Sequence, residues 1–321
     1  MNPLQEAALV VVRDCMAIKK NETVLILTDE PCSKIGKAIF DIGKGYSKEM
    51  YFLEMKPRIT NGEEPPEEIT QMMKLVDAVI APLSKSITHT NARRSACKAN
   101  TRVGTMPGIT EDIMIRTMRA DYNRISRLTE KITEILDNGN IAHLTTNSGT
   151  DLNIPIKNSK AISSTGLVKE AGSFGNLPSG ESYLMPEEGK ADGIYYIDGS
   201  LAGIGLIEDS PIKITVKNGM AVTIEGGKEA RMFDRMVSDV GERARNLAEL
   251  GIGTNYMAQI RGTALEDEKV MGTIHLALGN NVSMGGNVNI GFHVDGIIKN
   301  PTLKIDDFLL LENGKMHIDE N

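Results

Sequence analysis

Thr273-Ile-His275-Leu-Ala-Leu-Gly279, a glycine-rich link, then Gly291-Phe-His293-Val-Asp295-Gly296: the reading of this stretch decides the fold, and it carries two of the chain's five histidines. His275 stands in an apolar run of the kind that forms a strand buried on both faces. His293 and Asp295 are two positions apart, and side chains alternate along a strand, so both leave by the same face. The link adds Gly285 and Gly286 and holds no charged residue. Such a link lets the chain fold back and bring His275 close to His293 and Asp295. Two imidazoles and a carboxylate that converge form a metal-binding set, and nitrogen donors with a hard oxygen suit Zn, Fe(II), Mn or Co.

Two segments upstream offer further carboxylates. In Gly175-Asn-Leu-Pro-Ser-Gly-Glu181-Ser-Tyr183, a turn fixes Glu181 at the start of a strand. In Asn246-Leu-Ala-Glu249-Leu-Gly-Ile-Gly253-Thr-Asn255, Glu249 lies among apolar neighbours, between a predicted helix and a glycine-rich loop. A carboxylate buried there needs a partner, and a cation is the natural one. Glu181, Glu249, His275, His293 and Asp295 together would hold a two-metal hydrolytic centre, with cations about 3.5–4 Å apart activating a water. Glu181 or Glu249 would then act as general base. His275, His293 and Asp295 alone would form the 2-His-1-carboxylate triad that suits Fe(II) oxygenases.

The first third of the chain has a different texture. Apolar runs at Val24–Thr28, Glu49–Glu54, Asp77–Pro82 and Arg102–Met106 alternate with helical segments, and short links join them. This predicts an α/β domain with a parallel sheet and helices on both faces. Asp41-Ile-Gly-Lys-Gly45 matches neither a dinucleotide turn nor a phosphate loop, so the domain reads as a scaffold. His89 and Arg93-Arg94 fall on one predicted helix, as a solvated face. After a predicted helix at 121–136, the chain turns to short β runs. Ile212, Ile214 and Val216 alternate with Lys213 and Thr215, as in a half-buried antiparallel strand, and Asn218-Gly219 is a hairpin turn. One long helix is predicted over Lys228–Ala248. The expected organisation is an α/β domain over 1–125 and a mainly antiparallel β (α+β) metal-site domain over 126–321.

Composition sets the outer limits. With 321 residues and a net charge of −7, the chain lacks the basic surface of a nucleic-acid binder. The odd number of separated cysteines, Cys15, Cys32 and Cys97, argues against a disulfide framework or zinc ribbon. The apolar run Ala8–Val12 is too short for a signal-peptide core or a membrane span, and a cytoplasmic location without membrane partners is expected.

Four segments, Asn176-Leu-Pro-Ser-Gly-Glu181, Ala248-Glu249-Leu-Gly251, His275-Leu-Ala-Leu-Gly279 and His293-Val-Asp295, resemble in the same order the metal-binding segments of the aminopeptidase T / aminopeptidase S metallopeptidases. The resemblance implies a dimeric, dinuclear aminopeptidase acting on small peptides, its divalent Zn, Co or Mn held by Glu181, Glu249, His275, His293 and Asp295. The family's catalytic tyrosine corresponds to Val282 here. Its carboxylate five positions before the first histidine corresponds to Val270, with Glu268 the nearest acid. The link between the two histidine segments is also shorter. The same histidine pattern resembles 2,5-dihydroxypyridine 5,6-dioxygenase, which implies one Fe(II) on His275, His293 and Asp295 and a small-molecule substrate. An aminopeptidase-like hydrolase is the leading expectation and the Fe(II) dioxygenase the alternative, each as a homo-oligomer.

Overall fold

The computed structural model describes residues 1–318; residues 319–321, the end of the expected second domain, lie outside the described residues. The chain forms two compact units, one of residues 1–126 with 164–179, the other of residues 127–163 with everything from 180 onward. The division falls within the helix Tyr122–Asn138.

The first unit is built on a five-stranded parallel sheet. Its order is Glu49–Met55, Thr23–Asp29, Ala78–Leu83, Arg102–Pro107 and Phe174–Asn176. Ala78–Leu83 is buried at every position and Thr23–Asp29 at all but its first. That is why these strands read as unbroken apolar runs. The fifth strand was not legible, because Phe174–Asn176 runs directly into the segment that leads to Glu181. The expected solvated face of Arg93 is corrected: Arg93 is buried, its Nε donates to the Thr88 carbonyl at 2.7 Å, and its guanidinium lies 3.7 Å from the Phe174 ring centre. His89 lies in the turn ahead of the helix Asn91–Lys98.

The second unit holds two sheets. The eight-stranded sheet is antiparallel throughout and runs from Met220–Glu225 at one edge to Lys315–Met316 at the other. Ile212, Ile214 and Val216 are buried there while Lys213 and Thr215 are half exposed, as their alternation predicts. The seven-stranded sheet runs Gly205–Leu206, Ser200–Leu201, His293–Ile298, Ile274–Gly279, Leu247–Gly253, Glu181–Leu184 and Ile162–Ser164. One apolar cluster takes Leu144, Ile154, Tyr195 and Ile214 from the first sheet and Leu250, Leu276 and Ile298 from the second.

The predicted helix over Lys228–Ala248 is too long. The helix is Lys228–Val240, which buries Ala230, Phe233 and Val237 on one face. Burying a side chain the size of Phe233 contributes about 2 kcal/mol. Gly241, at φ 105°, ends the helix in a conformation open to glycine. A short 3-10 turn over Glu242–Arg245 follows, and the chain then enters the strand Leu247–Gly253. Glu249 therefore stands inside a fully buried strand, not in a link between helix and loop.

Candidate metal centre

The register of four neighbouring strands puts all five candidate residues on one face. Gly253 pairs with Glu181, and Gly251 pairs with both Tyr183 and His275. Glu249 pairs with Ala277, which pairs with Asp295, and Gly279 pairs with His293. Directly paired residues point the same way, and so do alternate residues of one strand. The face thus alternates functional side chains with Gly251, Gly253, Ala277 and Gly279. These small residues are required by space: a Cβ on Gly251 would sit 1.9 Å from His275 Nε2, and one on Gly253 would sit 2.1 Å from the Val270 carbonyl oxygen.

The polar atoms form a chain of contacts. His275 Nε2 lies 3.6 Å from Glu181 Oε2 and 3.3 Å from Glu249 Oε1. His293 Nε2 lies 3.3 Å from Glu249 Oε2 and 3.5 Å from Asp295 Oδ1. One ligand atom each from Glu249, His293 and Asp295 fall within 4.8 Å of one another. His275 is fully buried, Glu181, Glu249 and Asp295 nearly so, and the His293 side chain is one-third exposed.

This donor set fits a divalent cation. His293 Nδ1 lies 2.8 Å from the Asn280 carbonyl oxygen, an acceptor, so Nδ1 carries the proton. A neutral His293 therefore turns its Nε2 lone pair toward the Glu249 and Asp295 carboxylates. Lone pairs facing lone pairs hold together only around positive charge, either a bound cation or a proton on the ring. Two ligands at right angles, each about 2.1 Å from a metal, stand roughly 3 Å apart. The contacts of 3.3–3.6 Å are close to that spacing.

The same crowding sets the protonation of the cation-free site. Burial alone would lower His275, but Glu249, Glu181 and Asp295 outweigh it and lift its pKa to about 9. Desolvation likewise opposes charge on His293, and Asp295 with Glu249 raises it well above the usual imidazole range. Burial would raise Asp295, but His293 and His275 hold it well below the usual carboxylate range. Burial, with Glu181 and Glu249 nearby, keeps the Tyr183 hydroxyl protonated far above neutral pH.

Three contributors were missed in the sequence. Lys269, fully buried, places its Nζ 2.7 Å from both Glu181 Oε2 and Glu268 Oε2. Its neighbour Glu268 is the acid nearest the position of the aminopeptidases' carboxylate, and the adjacent acid–base pair there is the available signal. Glu188 holds the glycine-rich link: its carboxylate accepts from Asn287 N, Asn287 Nδ2 and Asn281 Nδ2, each at 2.8 Å. Asn280, through its backbone carbonyl, fixes His293, and no side-chain pattern could reveal that.

An antiparallel sheet that gathers imidazoles and carboxylates on one face offers the donor set of a metal-dependent enzyme. The family profile described as NicX, 2,5-dihydroxypyridine 5,6-dioxygenase, matches residues 11–318. The chain belongs to that family. A 2,5-dihydroxypyridine 5,6-dioxygenase from Pseudomonas putida KT2440 is 24% identical over 177 residues, 51% of each chain, so the match spans about half of that relative. Among solved structures, the 2,5-dihydroxypyridine dioxygenase of Pseudomonas putida KT2440 superposes with a TM-score of 0.85 at 16% identity, over 100% of this chain and 99% of that one. AmpT from Thermus thermophilus superposes with a TM-score of 0.66 at 16% identity, over 98% and 99%.

These findings correct the leading expectation. The likeness to aminopeptidase T is one of fold, and the family match overturns the aminopeptidase-like hydrolase and its protease assignment. The physical reasons lie in the site. Val282, at the position of the tyrosine, is an exposed apolar residue in the turn Val282–Met284. Glu181, expected as a metal ligand or general base, is held by an ammonium. Among the described residues, no helix is long and apolar enough to cross a membrane.

Proposed function

We propose that the chain is an Fe(II)-dependent ring-cleaving dioxygenase whose substrate is a small hydroxylated nitrogen heteroaromatic of the 2,5-dihydroxypyridine class. The observation that supports this most directly is the convergence of Glu249, His293 and Asp295, with His275 beside them, in a chain of this family. Glu249, His275, His293 and Asp295 would hold the ion, which supplies the redox chemistry that lets dioxygen react with an electron-rich ring. The residues of the chain do the rest. The Asn280 carbonyl keeps the His293 donor atom facing inward. Tyr183, on the same face and still a phenol, can donate a hydrogen bond to a ring oxygen. Gly251, Ala277 and Gly279 keep the floor of the site low.

The test is oxygen uptake. Chain purified without chelator and reloaded anaerobically with Fe(II) should consume one dioxygen per 2,5-dihydroxypyridine, with loss of the ring's ultraviolet absorbance. No uptake with this ring or with other hydroxylated pyridines would refute the reading.

Metal loading should depend on pH in a set direction. Ligation needs neutral imidazoles, and His275 holds its proton up to about pH 9 in the cation-free protein. Binding must therefore expel a proton at neutral pH and strengthen as pH rises. The apparent affinity for Mn²⁺, measured by calorimetry, should increase by at least about tenfold per pH unit between pH 7 and 8. A flat profile would contradict ligation by these imidazoles.

A further inference from the structure

We propose that the Lys269 ammonium occupies the place of a second metal ion and so fixes this site at one divalent cation per chain. The inference rests on the reading that Glu249, His293 and Asp295 hold a cation, and it concerns how many cations the cage accepts.

The contacts divide the cage into two ends. At one end stand Glu249, His293 and Asp295, whose ligand atoms cluster within 4.8 Å. At the other stand Glu181 and Glu268, which share one ammonium: Lys269 Nζ is 2.7 Å from an oxygen of each. His275 lies between, 3.3 Å from Glu249 and 3.6 Å from Glu181. A second metal would need the very oxygens that Lys269 holds. Paired cations in two-metal sites stand about 3.5–4 Å apart and share a carboxylate-lined cage. Here the second positive charge is covalently part of the chain.

Lys269 cannot easily swing aside. Its side chain is 2% exposed, and its backbone is tied at both polar groups: its N–H donates to the Glu266 carbonyl at 2.9 Å and its carbonyl accepts from Asn255 N–H at 2.8 Å. The preceding turn is anchored by the buried Asp267, which accepts from Ser200 Oγ at 2.5 Å and from Arg261 N–H and Gly262 N–H at 2.8 Å each. A buried ammonium held by Glu181 and Glu268 is costly to create and costly to strip of its partners, so its position is well defined. It also engages Glu181 Oε2, the oxygen that faces His275 and that a second metal would share.

The experiment is metal stoichiometry, read by calorimetric titration with Mn²⁺ and by elemental analysis of the dialysed protein. The unsubstituted chain should bind one equivalent. Lys269→Ala, which frees Glu181 and Glu268 and opens the space between them, should bind two, and its melting temperature should rise more on adding Mn²⁺ than that of the unsubstituted chain. Lys269→Arg, which keeps the charge, should bind one. Two equivalents in the unsubstituted chain, or one in a folded Lys269→Ala, would overturn the inference. Should Lys269→Ala fail to fold even with Mn²⁺, Lys269→Gln decides in the same way, two equivalents supporting and one refuting. A chain that binds one Mn²⁺ yet consumes no oxygen after Fe(II) loading would remove the dioxygenase reading and leave this one standing.

Discussion

Asp295→Ala is expected to leave the purified chain without a retained divalent cation and without oxygen uptake. Asp295 lies 3.5 Å from His293 and is the largest favourable influence on that imidazole. Removing it takes away a proposed ligand and lets His293 fall back toward its ordinary pKa. Changes to groups that merely orient metal ligands cost about 10–100-fold in affinity, so loss of a ligand itself should exceed about 100-fold. Mn²⁺ titration of the variant, with circular dichroism to show that the fold persists, checks this. A full equivalent of tightly held Mn²⁺ in folded Asp295→Ala would remove the carboxylate from the ligand set.

Gly251→Ala should be nearly as damaging, although it deletes no functional group. The added methyl would lie 1.9 Å from His275 Nε2 and 2.2 Å from its Cε1. His275 is wholly buried, so the ring has no solvent to move into. Overpacking of this kind costs about 1–3 kcal/mol, and a ring pushed out of place no longer offers its donor atom. The expected result is a melting point lower by several degrees and Mn²⁺ affinity reduced at least about tenfold. Gly291→Ala is the matched control: nothing lies within 4 Å of its added Cβ, and neither quantity should move. Equal behaviour of the two variants would show that Gly251 is not what makes room for His275.

Much of this was legible in the sequence because it is written in local patterns. The parallel sheet shows as apolar runs separated by helical segments, since strands covered on both faces need no polar alternation. The strand Ile274–Gly279 was readable for the same reason: all of its positions are buried. His293 and Asp295 could be placed on one face from their spacing alone. The helix end at Gly241 is not marked in the residue pattern, so the sequence places Glu249 in a link, although it lies in the strand next to that of His275. The return of Phe174–Asn176 to the first unit's sheet was hidden because parallel partners are distant in sequence. The burial of Lys269 is not legible, because a lysine in a sequence reads as surface. Only the tertiary fold shows that two carboxylates enclose it.

The thiols have a last consequence. Cys15, Cys32 and Cys97 all belong to the first unit, and among the described residues the cluster of Glu249, His293 and Asp295 offers nitrogen and oxygen donors. Such a set ranks first-row ions by the general order in which copper and zinc outcompete iron. Preparations should therefore arrive carrying whichever ion the growth medium and columns supplied. A colourless, inert sample would then report the history of the purification, and reloading under strictly reducing, chelator-free conditions becomes part of any assay of this chain.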